Sequence, residues 1–310
     1  MRQVLLFVIA ICIVFTSFGA ADIGKELQKK MNNARDDQFF QVMVVFKESL
    51  NPAEIRNTYG IRGDSTSDRA QIIQVMKNKA EQSQHWVKSL AKIRSAQVKD
   101  VKSFWIANLL SLKAKADAIR EIANQPNVKT VFLDEEQQFI HYKPGTPMRD
   151  AWGLAKIDSD KLNEKGFTGK GIVVAVIDTG VNYNHSDLKG RVINGLDAYN
   201  NDMDPLDDNG HGSHCAGTVA GTTYGVAPEA TIVAIKVLSG WGSGSWKNVA
   251  DGVQYVAEYQ KDGDVIHVAS MSLGGRAPIN SDLKTAFENV MELTKTHFIV
   301  AAGNSGPKAE

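Results

Sequence analysis

Gly171–Gly180, GIVVAVIDTG, decides the fold: a β-branched, apolar run stops abruptly at Asp178-Thr179-Gly180. A continuous apolar run, rather than an alternating one, predicts a strand buried on both faces, as in the parallel sheets of α/β proteins. Such a strand delivers Asp178 to the carboxyl edge of its sheet, where open α/β folds place their sites. Further on, DNGHGSHCAGTVAG, Asp208–Gly221, sets His211 between two glycines at the start of a helix predicted over 212–219. A buried carboxylate accepting from Nδ1–H would fix that imidazole's tautomer and leave Nε2 to take a proton from a nucleophile. Together, Asp178 and His211 predict a polarised base.

Outward from this pair, strand-like runs alternate with helical ones. ATIVAIKVL (Ala230–Leu238), VIHVASMSLGG (Val265–Gly275) and HFIVAAGN (His297–Asn304) are the further strands. A helix is predicted over 248–259, and another, capped by Ser281, carries Leu283, Ala286, Phe287, Val290 and Met291 as a stripe facing the sheet. The order predicts an α/β, doubly wound, mainly parallel sheet with helices on both faces.

The preceding part reads differently. FFQVMVVF (Phe39–Phe46) is a predicted strand, and Ile72, Val75, Met76, Trp86, Leu90 and Ile93 recur at helical spacing from Asp68 to Ile93. SFWIANLLSLKA then reads as one strand, KADAIREIANQ as a helix stopped by Pro126, and VKTVFLDE as another strand. This β-α-β-α-β order predicts a small α+β domain over 38–142. KPGTPMRD, with two prolines and a glycine, opens a linker over 143–151, and 152–310 forms the larger domain. At the start, Arg2, the apolar run Val4–Phe15 and the small residues up to Ala21 form a predicted signal peptide over 1–21. The run is shorter than the roughly 20 residues of a membrane span. The expectation is a secreted product, or a vacuolar or lysosomal one, with no membrane association after signal removal.

The 310 residues carry 35 Lys+Arg and 35 Asp+Glu, so no basic field is available for nucleic acid. Of the two cysteines, Cys12 lies in the predicted signal, which leaves Cys215 without an intramolecular partner. TGKG precedes its strand instead of following one, which excludes a dinucleotide fingerprint. NDMDPLDDN reads as a solvated acidic loop, and the glycosylation sequon Asn184-His185-Ser186 as a chance match.

VAVIDTGVNYNHSDL (174–188), GHGSHCAGTVAG (210–221) and VAAGNSG (300–306) resemble three of the four signature blocks of the subtilisin (subtilase) family of serine endopeptidases. HCAGT and the short AGTTYGVAP segment resemble the proteinase K branch. The resemblance implies Asp178 and His211 as triad members, and Asn304 as the side-chain donor of the oxyanion hole. It implies Gly242, Ser243 and Gly244 as one substrate-binding edge, and Ser272, Leu273 and Gly274 as the other. Cys215 becomes a neighbour of the histidine rather than a nucleophile. Asp187 stands at a calcium position of many subtilases, beside no oxygen-rich loop; its alternative role is in a turn or a helix cap, and the chemistry needs no cofactor. The smaller domain resembles the family's inhibitor-type propeptide, whose tail, Phe139–Tyr142 here, lies in the cleft where peptide or protein substrates bind. The fourth block, GTSMA with the nucleophilic serine, does not occur in these 310 residues. The resulting expectation is a serine endopeptidase precursor truncated before its nucleophile and inactive by itself. The alternative is a non-catalytic, propeptide-bearing inhibitor or folding aid for a related protease.

Overall fold

The computed structural model describes residues 21–63, 65–140, 152–259, 265–275 and 281–304. The predicted linker, most of the predicted signal, and His141 and Tyr142 of the predicted tail lie outside these residues.

The chain folds into two packed units. In the first, chain order is β1 (Asp22–Ile23), α1 (Lys25–Asn32), β2 (Phe39–Phe46), α2 (Pro52–Tyr59), α3 (Thr66–Ile93), β3 (Val98–Phe104), β4 (Leu109–Lys115), α4 (Ala116–Ala123), β5 (Val128–Leu133) and β6 (Gln137–Gln138). Its sheet runs β1-β5-β2-β4-β3, antiparallel apart from the parallel β1–β5 pair. The unit expected to begin at 38 also takes in β1 and α1, because Leu27 and Met31 of α1 complete its apolar core. SFWIANLLSLKA is not one strand. A 3₁₀ turn at Trp105–Ala107 and Asn108 at φ 50 fold it into the β3–β4 hairpin, a left-handed conformation that Asn adopts more readily than most residues. In α3 the buried face is Ile72, Met76, Ala80, Gln84, Val87 and Leu90, while Trp86 and Ile93 face outward. Gln84 can be buried because its amide donates to Asn108 Oδ1 (3.1 Å) and to the Leu109 carbonyl (3.3 Å).

The second unit continues with α5 (Trp152–Lys156), α6 (Ser159–Glu164), β7 (Val173–Asp178), β8 (Val192–Asp197), α7 (His211–Ala220), β9 (Thr231–Lys236), β10 (Ser243–Gly244), α8 (Trp246–Glu258), β11 (Val268–Met271), α9 (Ser281–Thr294) and β12 (His297–Val300). Its five-stranded sheet has the order β12-β11-β7-β9-β8 with every pair parallel. From β7 the chain goes to one side for β8 and β9, then crosses to the other for β11 and β12. Asp178 therefore ends the strand at which the winding reverses, the switch point of a doubly wound fold. Every residue of β7 is buried. Val174 and Val176 pack with Ala216 and Ala220 of α7, whereas Val173, Ala175 and Ile177 pack with Val249 and Val253 of α8 and Ala286 and Val290 of α9.

The stripe predicted on α9 is altered in one respect. Met291 is exposed, and Asn289 is buried in the interface with the first unit. Asn289 Nδ2 donates to the Leu50 carbonyl (2.7 Å) and the Ile106 carbonyl (2.6 Å), so α9 serves two cores at once.

Candidate active site

The site is built at the carboxyl ends of β7 and β9. Asp178 is 1% exposed, and its Oδ1 accepts from Thr179 N (2.7 Å) and from His211 Nδ1 (2.8 Å). His211 is the first residue of α7, and two glycines permit its approach. Gly210 takes φ 101, and a Cβ at Gly212 would lie far inside contact distance of the Gly180 carbonyl. Because a carboxylate only accepts, Nδ1 carries the proton of this bond. The hydrogen bond with Asp178, followed by that with the Cys215 thiol, raises the His211 pKa to about 10. Asp178 Oδ2 is buried without a hydrogen-bond partner among the described residues, which costs about 1–3 kcal/mol.

The acidic loop before His211 is solvated at Asp202, Asp204 and Asp208, as expected, but Asp207 is half-buried and structural. Asp207 Oδ1 accepts from Thr179 Oγ1 (2.8 Å), Asn209 N (2.9 Å) and Gly210 N (2.9 Å); its Oδ2 accepts from Ser213 N (2.9 Å) and Ser213 Oγ (2.6 Å). One carboxylate thus ties the residue after Asp178 to the first turn of α7. Burial alone would push the Asp207 pKa up, but the Ser213, Gly210 and Asn209 hydrogen bonds outweigh it and lower the pKa. Next to it, Lys236 at the end of β9 is 1% exposed. Its ammonium is fully satisfied by the Thr179 carbonyl (2.7 Å), the Leu238 carbonyl (2.7 Å) and Asp208 Oδ1 (2.6 Å). Neither Asp207 nor Lys236 was singled out by motif reasoning. The signal was available only as two acidic residues running into the glycine-flanked histidine.

Cys215 Sγ lies 3.8 Å from His211 Nδ1, one turn along α7. Ligand atoms of Asp178, His211 and Cys215 all fall within 4.8 Å of one another. This donor set would suit a thiophilic ion, at the expense of the Asp178–His211 hydrogen bond. Asp187 Oδ1 accepts instead from Thr223 N (2.9 Å) and Thr223 Oγ1 (2.6 Å), which fixes the turn after α7. Asn304 is exposed beyond the end of β12. In an all-parallel sheet that is the edge bearing Asp178, with β11 between the two strands.

The two predicted substrate edges are bridged by the end of the first unit. Gln138 and Gln137 in β6 pair antiparallel with Ser243 and Gly244 in β10. Phe139 N (3.0 Å) and Ile140 N (3.1 Å) both donate to the Gly242 carbonyl, and Gly274 N donates to the Phe139 carbonyl (3.2 Å). The Phe139 ring, 4% exposed, stands edge-on to Trp246 with centroids 5.1 Å apart. Leu273 is buried and Ser272 half-buried beside this contact. An extended segment, Gln137–Ile140 among the described residues, therefore lies between Gly242–Gly244 and Gly274, beginning two residues before the span 139–142 predicted from sequence.

Against known proteins, the model of the subtilase family (Peptidase_S8) matches residues 169–310, the span holding β7 to β12 and the Asp178–His211 pair. Over these residues the chain is similar to the subtilase family. Serine protease AprX of Bacillus subtilis (strain 168) is 42% identical over 217 residues, 66% of this chain and 47% of AprX. Subtilisin-like protease 2 of Pseudogymnoascus destructans is 38% identical over 205 residues, 64% of this chain and 49% of that protein. Cerevisin of Saccharomyces cerevisiae is 43% identical over 174 residues, 51% of this chain and 27% of cerevisin. The aligned part spans less than half the length of each of these relatives.

Proposed function

We propose that the chain is part of a secreted subtilisin-like serine endopeptidase precursor, and that its first unit is an inhibitor-type propeptide. The observation that carries this reading is the Gln137–Ile140 segment held between Gly242–Gly244 and Gly274, on the sheet edge where His211 meets Asp178. An extended peptide paired with a bare strand edge is how a protease groove holds substrate, and a tail in that groove blocks it. In the complete enzyme a serine hydroxyl attacks the peptide carbonyl, the neutral form of His211 takes its proton at Nε2, and Asp178 holds the ring and stabilises the imidazolium. Asn304 donates to the oxyanion. No cofactor is needed for these steps, and the substrates are peptides or proteins. Among the described residues no helix is long and apolar enough to cross a membrane.

The experiment is peptide hydrolysis by the purified 310-residue chain, beside the same reading frame carried through a GTSMA-like block. Turnover is expected only from the extended chain, and His211→Ala removes it. Turnover by the 310-residue chain that is lost in both His211→Ala and Ser272→Ala would overturn the reading and make Ser272 the nucleophile.

A further inference from the structure

Glu136, just before β6, makes a contact that main-chain pairing does not require. Its carboxylate accepts from Ser243 Oγ, and Tyr199 OH lies 3.5 Å from the same Oε1. Ser243 spends its proton on that carboxylate, so the 3.0 Å contact between Ser243 Oγ and Ser239 Oγ must be donated by Ser239. Ser239 is 4% exposed, and its Oγ in turn accepts from Trp241 N (3.2 Å) and Ser243 N (3.3 Å). Backbone N–H groups, Ser239 and Ser243 thus form a chain of hydrogen bonds polarised in one direction and ending on a negative charge. α8 begins two residues beyond Ser243 at its cap, Ser245, and its first N–H groups are held by the Asp134 carboxylate rather than by Glu136. A cationic side chain in place of Glu136 would remove the acceptor to which Ser243 Oγ donates.

We propose that Ser243, Ser239 and Tyr199 form a subsite that selects extended polypeptides bearing an acidic side chain three residues ahead of the apolar anchor held against Trp246. The proposal rests on the groove reading of the Gly242–Gly244 edge, and it adds a side-chain preference to it. Glu136 and Phe139 are the chain's own occupants of the two positions, and a substrate lying in the same register presents the same spacing.

The test uses the whole chain and its own 137–140 segment as the probe. Amide hydrogen exchange of Phe139 and Ile140 is compared in the wild type and in Glu136→Gln and Glu136→Lys, each with Ser243 intact and as Ser243→Ala. Protection is expected to fall in the order Glu, Gln, Lys, by about 10-fold from first to last, the scale of a charge-assisted hydrogen bond. In the Ser243→Ala background the same series should span less than about 2-fold, with exchange in β2 and β4 unchanged throughout. A series of equal size in both backgrounds, or no series in either, overturns the acidic subsite and leaves the groove contact standing. Fast exchange of Phe139 and Ile140 in the wild type overturns both the subsite and the groove reading.

Discussion

Asp207 and His211 show how single residues set this site, and they respond to pH in opposite directions. The Asp207 pKa is depressed when folded, so its contribution is present above about 3.9 and is lost as pH falls through the folded value. Asp207→Ala removes the acceptor for five hydrogen bonds and is expected to cost about 3 kcal/mol. Urea unfolding of this variant should also lose part of the acid sensitivity of the wild type between about pH 5 and 2. His211 is raised instead, to about 10. Its contribution is full below about 6.5 and disappears as pH rises through 10. Stability should therefore decline from pH 7 to 10 in the wild type and be flatter in His211→Gln. A decline of equal steepness in both would remove the Asp178–His211 pair as its source.

At the scale of elements, the approach of α7 to β7 depends on a missing side chain. Gly212→Ala would drive a Cβ into the Gly180 carbonyl, and overpacking of this kind costs about 1–3 kcal/mol. NMR of the variant should show the His211–Asp178 N–H resonance lost or displaced, and an unchanged resonance would mean that α7 tolerates the methyl group. Elements whose signals are local were legible in the sequence. β7 is an unbroken apolar run because α7 and α8–α9 cover its two faces, and His211 stands between glycines because the helix starts against a turn. The β3–β4 hairpin was not legible, since its reversal rests on Asn108 in a left-handed conformation within an apolar stretch. The burial of Gln84 and Asn289 was equally hidden, because each is compensated by carbonyls from distant parts of the chain. The role of Asp207 was missed because four aspartates in nine residues resemble a solvated loop until the partners of each are known.

At the scale of the whole molecule, the balanced net charge conceals an ordered division between the two units. Arg56, Lys77 and Lys102 of the first unit pair with Glu292, Glu258 and Asp251 of the second, the last two at 3.1 and 2.6 Å. Trp105 Nε1 adds a hydrogen bond to Glu258 Oε1 (2.7 Å). In the opposite sense, Asp134 of the first unit accepts from Trp246 N (2.8 Å) and Lys247 N (3.2 Å) at the start of α8. The apolar part of the interface is insensitive to salt, whereas the partly exposed pairs are screened within about 10 Å at 0.1 M salt. If the chain is nicked between residues 143 and 151, the units should stay associated at low ionic strength and separate more readily as salt rises. The dissociation constant should increase several-fold between about 0.05 and 0.5 M NaCl, with about 1 kcal/mol or less per exposed pair. Lys102→Met should reduce that salt dependence, because it removes the first-unit partner of Asp251, which is only 5% exposed. Asn289→Ala should weaken association equally at all salt concentrations, since it leaves the Leu50 and Ile106 carbonyls without their donor. Analytical ultracentrifugation of the nicked wild type and the two variants separates these effects. A salt-independent constant in the nicked wild type would assign the docking to the apolar core and Asn289 alone.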